Sequence, residues 1–313
     1  MPFNSTSLSY LLQGGVALLQ GKKEYLITKT LNNNVILAID RVSNEEVVLV
    51  GKGIGFGKKD GNLVKLSEKD IEKSFLSFDE KTKNDYYQLM KDINEKVIGL
   101  SEEIIAIAEK KFGLLNSKIH VALADHIGFA IERIKMGLEI SNPFIYEIQA
   151  LYPDEFQIGE MAQGIIKDRL GVIVSESEIG FIALHIHSAR VSKQVIDTIK
   201  DTKFLKALVD IIEEELSTKL DNSGLVYSRL INHLRASISR MENKKYIENP
   251  LLDTIKEKFT KSYDIAEKIG VYINKEKNIY VTDDELGYMA LHIERIKETT
   301  NYETKRVTES NQA

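Results

Sequence analysis

Four of the six histidines recur at a constant spacing of 107 residues. The corresponding pairs are His126 with His233 and His185 with His292. Their surroundings repeat too, because Glu178–Ile186 (EIGFIALHI) falls on Glu285–Ile293 (ELGYMALHI) without a gap. Packing rarely requires an imidazole itself, whereas a ring nitrogen that is neutral near pH 7 can accept and return a phosphoryl group. The repeat predicts two copies of one module, each with a reactive histidine pair.

A metal site is the main chemical alternative for these histidines. The two histidines of each module are 59 residues apart, no His-x-x-x-His spacing occurs, and Asn232 replaces the Asp125 of the first copy. These features disfavour a metal, and no cofactor is expected. His120 precedes an apolar run and is expected to be a hydrogen-bonded core residue, while His187 corresponds to Glu294 and so is not repeated.

Composition is that of an ordinary globular protein. The chain has 313 residues, of which 43% are apolar and 28% charged, and no cysteine. Disulfides and thiolate metal sites are therefore excluded, and the length allows two or three domains. No segment has the apolar length of a membrane span, and no signal peptide is recognisable. We expect no membrane association and, by elimination, a cytoplasmic location.

Residues 22–75 are predicted to form a small antiparallel sheet. The expected strands are Tyr25–Leu31, Val35–Ile39, Val47–Val50 and a last one near Ile71–Phe75. The Asn32–Asn34 triplet suits a tight turn. This segment has ten basic residues against eight acidic ones in a chain of net charge −5, which suggests a polyanionic partner. Such a small sheet is expected to pair with a copy of itself or to dock on another domain.

A glycine-rich stretch, Gly51–Lys59 (GKGIGFGKK), follows the third strand. Walker spacing fails because Lys52 stands at the first glycine and Lys59 at the hydroxyl, and Phe56 replaces the third glycine of a dinucleotide motif. A bulged strand with a turn is the simplest structural interpretation. Glycines with one aromatic ring and three lysines, beside an asparagine turn, also suit irregular RNA, whose unpaired bases stack on rings and whose phosphates attract lysines.

From about residue 77 onward the hydrophobic period is helical. Ser101 and Gly113 are the predicted N-cap and C-terminal glycine of one helix. Further helices are expected at residues 119–136, 143–151, 155–170 and 177–190, and the repeat predicts the same set from 226 to 297. Each module should be a helical bundle, joined by a polar link near Ser192–Thr202 that is short or itself helical.

These motifs together resemble the BglG/SacY family of transcriptional antiterminators. Thr28–Val35 (TKTLNNNV) and Gly51–Lys59 resemble its co-antiterminator RNA-binding domain, and the histidine modules resemble its two phosphotransferase-system (PTS) regulation domains. The resemblance implies a multidomain α and β protein, with a small four-stranded antiparallel β RNA-binding domain followed by two duplicated all-α helical-bundle domains. The implied parts are an arm expected to be disordered (1–22), the RNA-binding domain (23–78), the two regulation domains (79–190 and 191–300) and a polar tail (301–313).

The resemblance also implies a homodimer that binds a partly mismatched hairpin in a leader mRNA, so that an overlapping terminator cannot form. Asn32 and Asn34 would contact base edges or backbone, Phe56 would stack, and Gly51 and Lys52 would approach the strand closely. Lys29, Lys58 and Lys59 are weaker candidates for phosphate contacts. Lys52 keeps the charge of the arginine found in some relatives but loses its planar fork.

Partners of the histidines follow from the same resemblance. His126 and His185 would be targets of a sugar-specific enzyme IIB, and His233 and His292 of the phosphocarrier HPr. Each phosphate adds up to about two negative charges, so phosphorylation of the first module is expected to open the dimer and silence RNA binding. Arg133 and Arg240 are the predicted phosphate partners. The exchange of Asp125 for Asn232 suggests that the first module carries the dominant switch.

Two other interpretations stay open at this point. The chain could be a phosphoryl-relay protein whose β domain only docks or dimerises, or a DNA-binding activator. The second is disfavoured because residues 25–75 are predicted to be strands and no helix-turn-helix pattern precedes the modules. The protein is not expected to be an enzyme. Among sugars, glucose is preferred over sucrose and β-glucosides, because Thr28–Asn34 and Gly51–Lys59 look most like the glucose-responsive members. The stretch Leu151–Ile158 (LYPDEFQI) is shared in style with sucrose and β-glucoside members, so these sugars stay open.

Overall fold

The computed structural model describes residues 22–76 and 80–310. They divide into two compact units. The first is drawn from Met1–Gly113 and Ser117–Phe129, and the second from Leu114–Asn116 and Ala130–Ala313. The predicted arm lies outside the described residues except for Lys22. The first unit thus contains the sheet and the helices that immediately follow it. The predicted domain bounds stay predictions.

A five-stranded antiparallel sheet begins the first unit. Its strands are β1 (Lys23–Asn32), β2 (Val35–Asp40), β3 (Glu46–Val50), β4 (Leu63–Leu66) and β5 (Lys73–Leu76), in the spatial order β4-β1-β2-β3-β5. Alternate side chains of the long strands, such as Ile27, Ile36 and Leu49, form one buried apolar cluster. This period-two burial is why the β-branched segments pair as strands.

The antiparallel sheet confirms the predicted fold class, with one strand more than the four implied by the resemblance. The strand expected near Ile71–Phe75 is β5, where Phe75 pairs with Val48 of β3. The strand that prediction misses is β4. It has four residues and a single fully buried side chain, Val64, which is too short a pattern to stand out from a loop.

Helices α1 (Glu80–Asp92) and α2 (Glu95–Phe112) follow the sheet. The predicted N-cap at Ser101 is wrong, because Ser101 is buried inside α2 and its hydroxyl donates to the Val97 carbonyl at 2.9 Å. The helix begins earlier, where the Asn94 side chain accepts a hydrogen bond from the backbone N–H two residues on. The predicted end is confirmed by Gly113, whose φ of 82° favours glycine.

Nine further helices complete the described chain. They are α3 (Ile119–Lys135), α4 (Ile145–Leu151), α5 (Pro153–Leu170), α6 (Glu176–Arg190), α7 (Val195–Leu216), α8 (Leu225–Glu242), α9 (Leu252–Lys258), α10 (Thr260–Lys277) and α11 (Asp283–Ser310). The predicted polar link overlaps the start of α7, and the predicted polar tail continues α11 as far as Ser310. No helix within the described ranges is long and apolar enough to cross a membrane.

The sequence repeat holds at the level of helix bounds. Shifted by 107 residues, α4 and α5 begin and end where α9 and α10 do. In the second unit, both copies contribute to one apolar core, with Ile148 and Leu184 from the first copy and Leu234 and Ile293 from the second. The confirmed duplication therefore places corresponding histidines on corresponding helices, α3 with α8 and α6 with α11.

Candidate RNA-binding surface and histidine sites

The asparagine turn and the glycine-rich loop meet at one end of the sheet. Asn34 joins them, because its carbonyl accepts a hydrogen bond from the Gly51 N–H and its side-chain Oδ1 accepts one from the Gly53 N–H, each at 2.9 Å. The Gly55 N–H donates to the Asn33 carbonyl at 3.0 Å. The structure thus brings together the two segments in which the candidate RNA-binding residues were predicted.

The loop glycines have structural reasons of their own. Gly53 and Gly57 have φ values of 72° and 66°, which L side chains rarely adopt. A Cβ on Gly51 would lie 2.1 Å from the Asp70 carbonyl oxygen, and Gly51 is buried. Contact with Asp70 therefore accounts for this glycine, and its close approach to RNA stays a prediction.

Four of the predicted residues are exposed on this loop. They are Lys52, Phe56, Lys58 and Lys59, which we call the exposed set. The Phe56 side chain is 71% exposed and so contributes little to the core. A solvent-facing ring among lysines can stack on a base while the ammonium groups contact the neighbouring phosphates.

Three other predicted residues contact helix α2 instead. We call Lys29, Asn32 and Asn34 the covered set. The two oxygens of the Glu103 carboxylate accept hydrogen bonds from the side-chain amides of Asn32 and Asn34 at 2.8 and 2.9 Å. Lys29 Nζ lies 2.7 Å from Glu95 Oε1. The candidate RNA-binding surface is therefore divided, with one part open and the other in contact with a helix.

The second histidine pair is closely associated. The rings of His233 and His292 stack with centroids 3.7 Å apart and planes inclined by 19°. Burial, followed by the charges of His233, Arg295 and Arg240, lowers the pKa of His292 to about 4. Partial burial and the neighbouring arginines also lower the pKa of His233. Both rings are thus held neutral near pH 7, the form in which an imidazole nitrogen is nucleophilic.

Two arginines that sequence reasoning missed lie beside this pair. Arg229 and Arg295 line a cavity of about 100 Å³ together with His233 and His292. The signal was present in the sequence, because each arginine stands one helical turn from a histidine. Their guanidinium groups can hold the oxygens of a phosphoryl group next to either ring.

The arginines that were predicted as phosphate partners are already engaged with glutamates. Arg240 makes a bidentate contact with Glu285, with both N–O distances 2.7 Å. At the equivalent place Arg133 Nη2 lies 2.8 Å from Glu178 Oε1. These repeated ion pairs connect α8 with α11 and α3 with α6. Their observed contacts are structural, and a role toward phosphate stays a prediction.

Comparison with known proteins accounts for both kinds of module. Residues 25–84 match the CAT RNA binding domain, and residues 102–189 and 206–296 each match the PRD domain. The chain is also 38% identical over 274 residues to "Transcription antiterminator LicT" of Bacillus subtilis (strain 168), covering 86% of this chain and 98% of that protein. The chain belongs to the BglG/SacY family of transcriptional antiterminators.

Other members of this antiterminator family show similar identity. The "Beta-glucoside operon antiterminator" of Dickeya chrysanthemi is 34% identical, covering 89% of this chain and 99% of its own length. "Protein GlcT" of Staphylococcus aureus (strain JH9) is also 34% identical, with the same coverages. The solved "Crystal structure of GlcT CAT-PRDI" covers 53% of this chain and 98% of its own chain, at 41% identity and a TM-score of 0.44. The domain matches and the sequence identities to these curated relatives confirm the predicted family.

The two PRD domains of this antiterminator differ around their histidines. His126 and His185 are half-buried on α3 and α6. Where the second domain has Arg229 and Arg295, the first has Ala122 and Ser188. Ser188 is buried, and its hydroxyl bonds that of Thr198 at 2.8 Å. The cationic pair beside the histidines is therefore a property of the second domain.

The substitution of Asn232 for Asp125 has a packing explanation. The Asn232 side-chain amide donates to the carbonyls of Ala150 and Ser228 at 3.1 and 2.8 Å. A carboxylate could not donate at this position. Asp125 of the first domain is exposed. Asn232 thus holds α8 against the end of α4, which explains why the second copy has an amide.

The two remaining histidines occupy structural positions. His120 is buried with Nδ1 2.7 Å from Glu102 Oε2, which confirms the prediction of a hydrogen-bonded core residue. His187 Nδ1 lies 2.9 Å from Glu155 Oε1. Among the described residues, no group of three or more His, Cys, Asp or Glu side chains is arranged to hold a metal ion.

Proposed function

We propose that this chain binds a partly mismatched RNA hairpin in a leader transcript and so prevents an overlapping terminator from forming. The observation that carries the proposal is the joined asparagine turn and glycine loop, on which Phe56 and three lysines are exposed. The match to the CAT RNA binding domain and the printed names of the relatives support it. The protein acts as a homodimeric regulator in the cytoplasm, not as an enzyme.

Full-length protein and a hairpin from its own leader RNA test this function. Phe56→Ala should weaken binding by about tenfold, because a base–aromatic stack contributes about 1–3 kcal/mol. Lys58→Ala with Lys59→Ala should reduce the slope of log K against log salt by roughly two, one for each lost phosphate contact. Tyr280→Ala removes a ring that is 70% exposed in the second PRD domain and serves as the matched control.

The outcome also separates this function from the phosphoryl relay. Binding at low salt that weakens with added salt is expected for the antiterminator. A full-length protein that does not bind its leader hairpin at any salt concentration would leave the relay as the better interpretation. Retention of affinity by Phe56→Ala would contradict the stacking role alone.

Control by phosphorylation is the second part of the proposal. The imidazole nitrogen of His233 or His292 attacks the phosphorus of the phosphoryl group that HPr carries, the bond from this phosphorus to the donor breaks, and the donor takes up the proton that the newly phosphorylated ring releases. The neutral rings and the adjacent Arg229 and Arg295 support this assignment. His126 and His185 receive phosphate from a sugar-specific enzyme IIB, which opens the dimer and silences RNA binding.

Two double variants test the division of roles. His126→Ala with His185→Ala should give antitermination whether or not the sugar is present, because the negative signal cannot be received. His233→Ala with His292→Ala is the matched control and should keep the response to sugar while changing its level. A sugar response that persists in the first variant would refute the negative role of the first domain.

We propose glucose as the inducing sugar, from the likeness of Thr28–Asn34 and Gly51–Lys59 to glucose-responsive members. The similar identities to LicT, GlcT and a β-glucoside operon antiterminator give no further preference. A hairpin overlapping a terminator upstream of a neighbouring sugar permease gene would identify both target and inducer. A neighbouring permease for another sugar would overturn the choice of glucose.

A further inference from the structure

Helix α2 presents a stripe of three residues to the covered set. Glu95, Gly99 and Glu103 are spaced by four and so lie on one face of the helix. Glu95 contacts Lys29, Glu103 contacts the amides of Asn32 and Asn34, and Gly99 lies between these two contacts, against Asn32. We call these three residues the α2 stripe.

The groups that the α2 stripe engages are those that RNA would need. Asn32 Oδ1 already accepts a hydrogen bond from the Asn34 N–H, and Asn34 Oδ1 accepts one from the Gly53 N–H. The amide NH₂ groups therefore remain to recognise a ligand, and both are directed at Glu103. The glutamates present anionic oxygens to these amide donors and to Lys29. A nucleic-acid backbone would present its phosphate oxygens in the same way.

The contact is too close to admit RNA at the same time. A Cβ built on Gly99 would lie 2.6 Å from Asn32 Nδ2 and 3.1 Å from Leu31 Cβ. The backbone of α2 is thus packed directly on the asparagine turn. No nucleotide can lie between the helix and the covered set, so the two contacts are mutually exclusive.

We propose that α2 is an internal competitor of RNA. In the form described here the α2 stripe occupies Lys29, Asn32 and Asn34, while the exposed set stays available for a first encounter with the hairpin. Full binding requires α2 to leave the sheet. The inference rests on the proposed RNA-binding function, and it adds a specific obstacle to binding within the first unit.

Reciprocity gives the proposal a second observable. If α2 and RNA exclude each other, weakening the helix contact must strengthen RNA binding, and RNA must in turn loosen α2. A stripe that served only to stabilise the fold would behave differently. Its loss would lower stability without improving RNA affinity.

Two variants weaken the contact by different means. Glu103→Gln keeps the size of the side chain but replaces one acceptor oxygen with a donor, which then faces an asparagine NH₂. Gly99→Ala keeps both glutamates and adds a methyl group that Asn32 must move to accommodate. Alanine also favours a helix over glycine, so α2 itself is preserved.

Affinity for the leader hairpin is measured with full-length protein at one fixed salt concentration. Each variant should bind about tenfold more tightly than wild type. This corresponds to a modest change in the equilibrium between α2 docked on the sheet and α2 away from it. Asp85→Asn removes one exposed carboxylate from α1 and is the matched charge control, with a change of less than about twofold expected. Affinities of both variants that equal or fall below that of wild type would overturn the proposal.

Hydrogen exchange supplies the second readout. Addition of the hairpin should accelerate amide exchange in Glu95–Phe112 of the wild-type chain, whereas slower exchange there would show that α2 belongs to the RNA-bound form and would overturn the proposal. The two possible failures are distinguishable. Tight RNA binding by wild type and variants alike refutes the internal competitor, whereas no binding by any of them refutes the RNA-binding function and with it this inference.

Discussion

The two PRD domains have kept the bonds that connect their helices and have diverged where chemistry is proposed. The ion pairs Arg133–Glu178 and Arg240–Glu285 correspond, as do Asn142 and Asn249, whose side chains each accept a hydrogen bond from the backbone N–H two residues on. Beside the histidines, by contrast, the second domain has arginines at the positions where the first domain has alanine and serine. Duplication has therefore preserved the contacts between helices, while the electrostatic surroundings of the histidines changed.

Replacing the two arginines beside the histidines of the second domain should have the largest effect, and it should act on the rate of phosphorylation. Arg229→Ala with Arg295→Ala is expected to slow HPr-dependent phosphorylation of His233 and His292 by about 100-fold, because two charged donors to the transferred group are lost. Phosphopeptide mass spectrometry after incubation with HPr would measure the rate. Arg41→Ala removes an exposed arginine from the RNA-binding domain and is the control. A rate within a few-fold of wild type would remove the chemical distinction between the domains.

Replacing the amide next to His233 with a carboxylate should lower the free energy of unfolding, whereas the reverse replacement next to His126 should change it little. Asn232→Asp is expected to lower the free energy of unfolding by about 3 kcal/mol, because a carboxylate would face two carbonyl oxygens. Asp125→Asn at the exposed position of the first domain should change it by less than about 0.5 kcal/mol. Urea unfolding of the full chain compares the two. Equal effects would show that the copies do not differ in packing here.

The His292 ring should make stability depend on pH. Its folded pKa of about 4 lies below the ordinary 6.5, so the unfolded chain binds the extra proton first as the pH falls. Its contribution is complete above pH 6.5 and is lost between 6.5 and 4, by about 2 kcal/mol after solvent screening. His292→Gln should flatten this part of the stability profile, measured by urea midpoints from pH 7 to 4.5.

A second variant checks the cause of that pH dependence. Arg295→Ala removes a positive neighbour and should raise the pKa of His292, which reduces the stability lost on acidification. An unchanged profile in both variants would mean that other groups cause the acid sensitivity of this domain.

An exchanged hydrogen-bonded pair should give the smallest effect. Glu155 bonds His187 in the first domain, and at the same two positions the second domain has Ser262 bonded to Glu294 at 2.6 Å. Glu155→Ser should destabilise the chain, and adding His187→Glu should recover about 1 kcal/mol of coupling by recreating the other pair. Additive effects in the double-mutant cycle would mean that the exchange is not compensatory.

The repeat explains why the helical part was predictable to within two residues at most helix ends. An unbroken offset applies to both copies, so a helical pattern in one copy predicted the same helix in the other. What is unique to one copy has no such counterpart. Arg229 and Arg295 were missed because they correspond to Ala122 and Ser188, although their one-turn spacing from His233 and His292 was visible in the sequence.

Contacts between distant segments could not be predicted in this way. The motif indicated that Asn32 and Asn34 would serve RNA, but nothing local indicates that Glu103, 71 residues after Asn32, bonds both amides. The start of α2 was also misplaced. A serine followed by glutamates and apolar residues is expected at a helix N-cap, but the same residues also occur inside a helix, as Ser101 does here. Docking of elements is decided by tertiary packing, which a single sequence specifies only collectively.

The stack of His233 on His292 limits how many phosphoryl groups the second PRD domain could carry. Rings 3.7 Å apart leave no room for a phosphoryl group between them, and two such groups, each with a charge near −2, would repel strongly at this distance. Under the proposed transfer, a domain in this geometry carries one phosphoryl group on either ring. Phosphorylation of either histidine would then give the same signal, which reports that a phosphoryl group has arrived but not which ring received it.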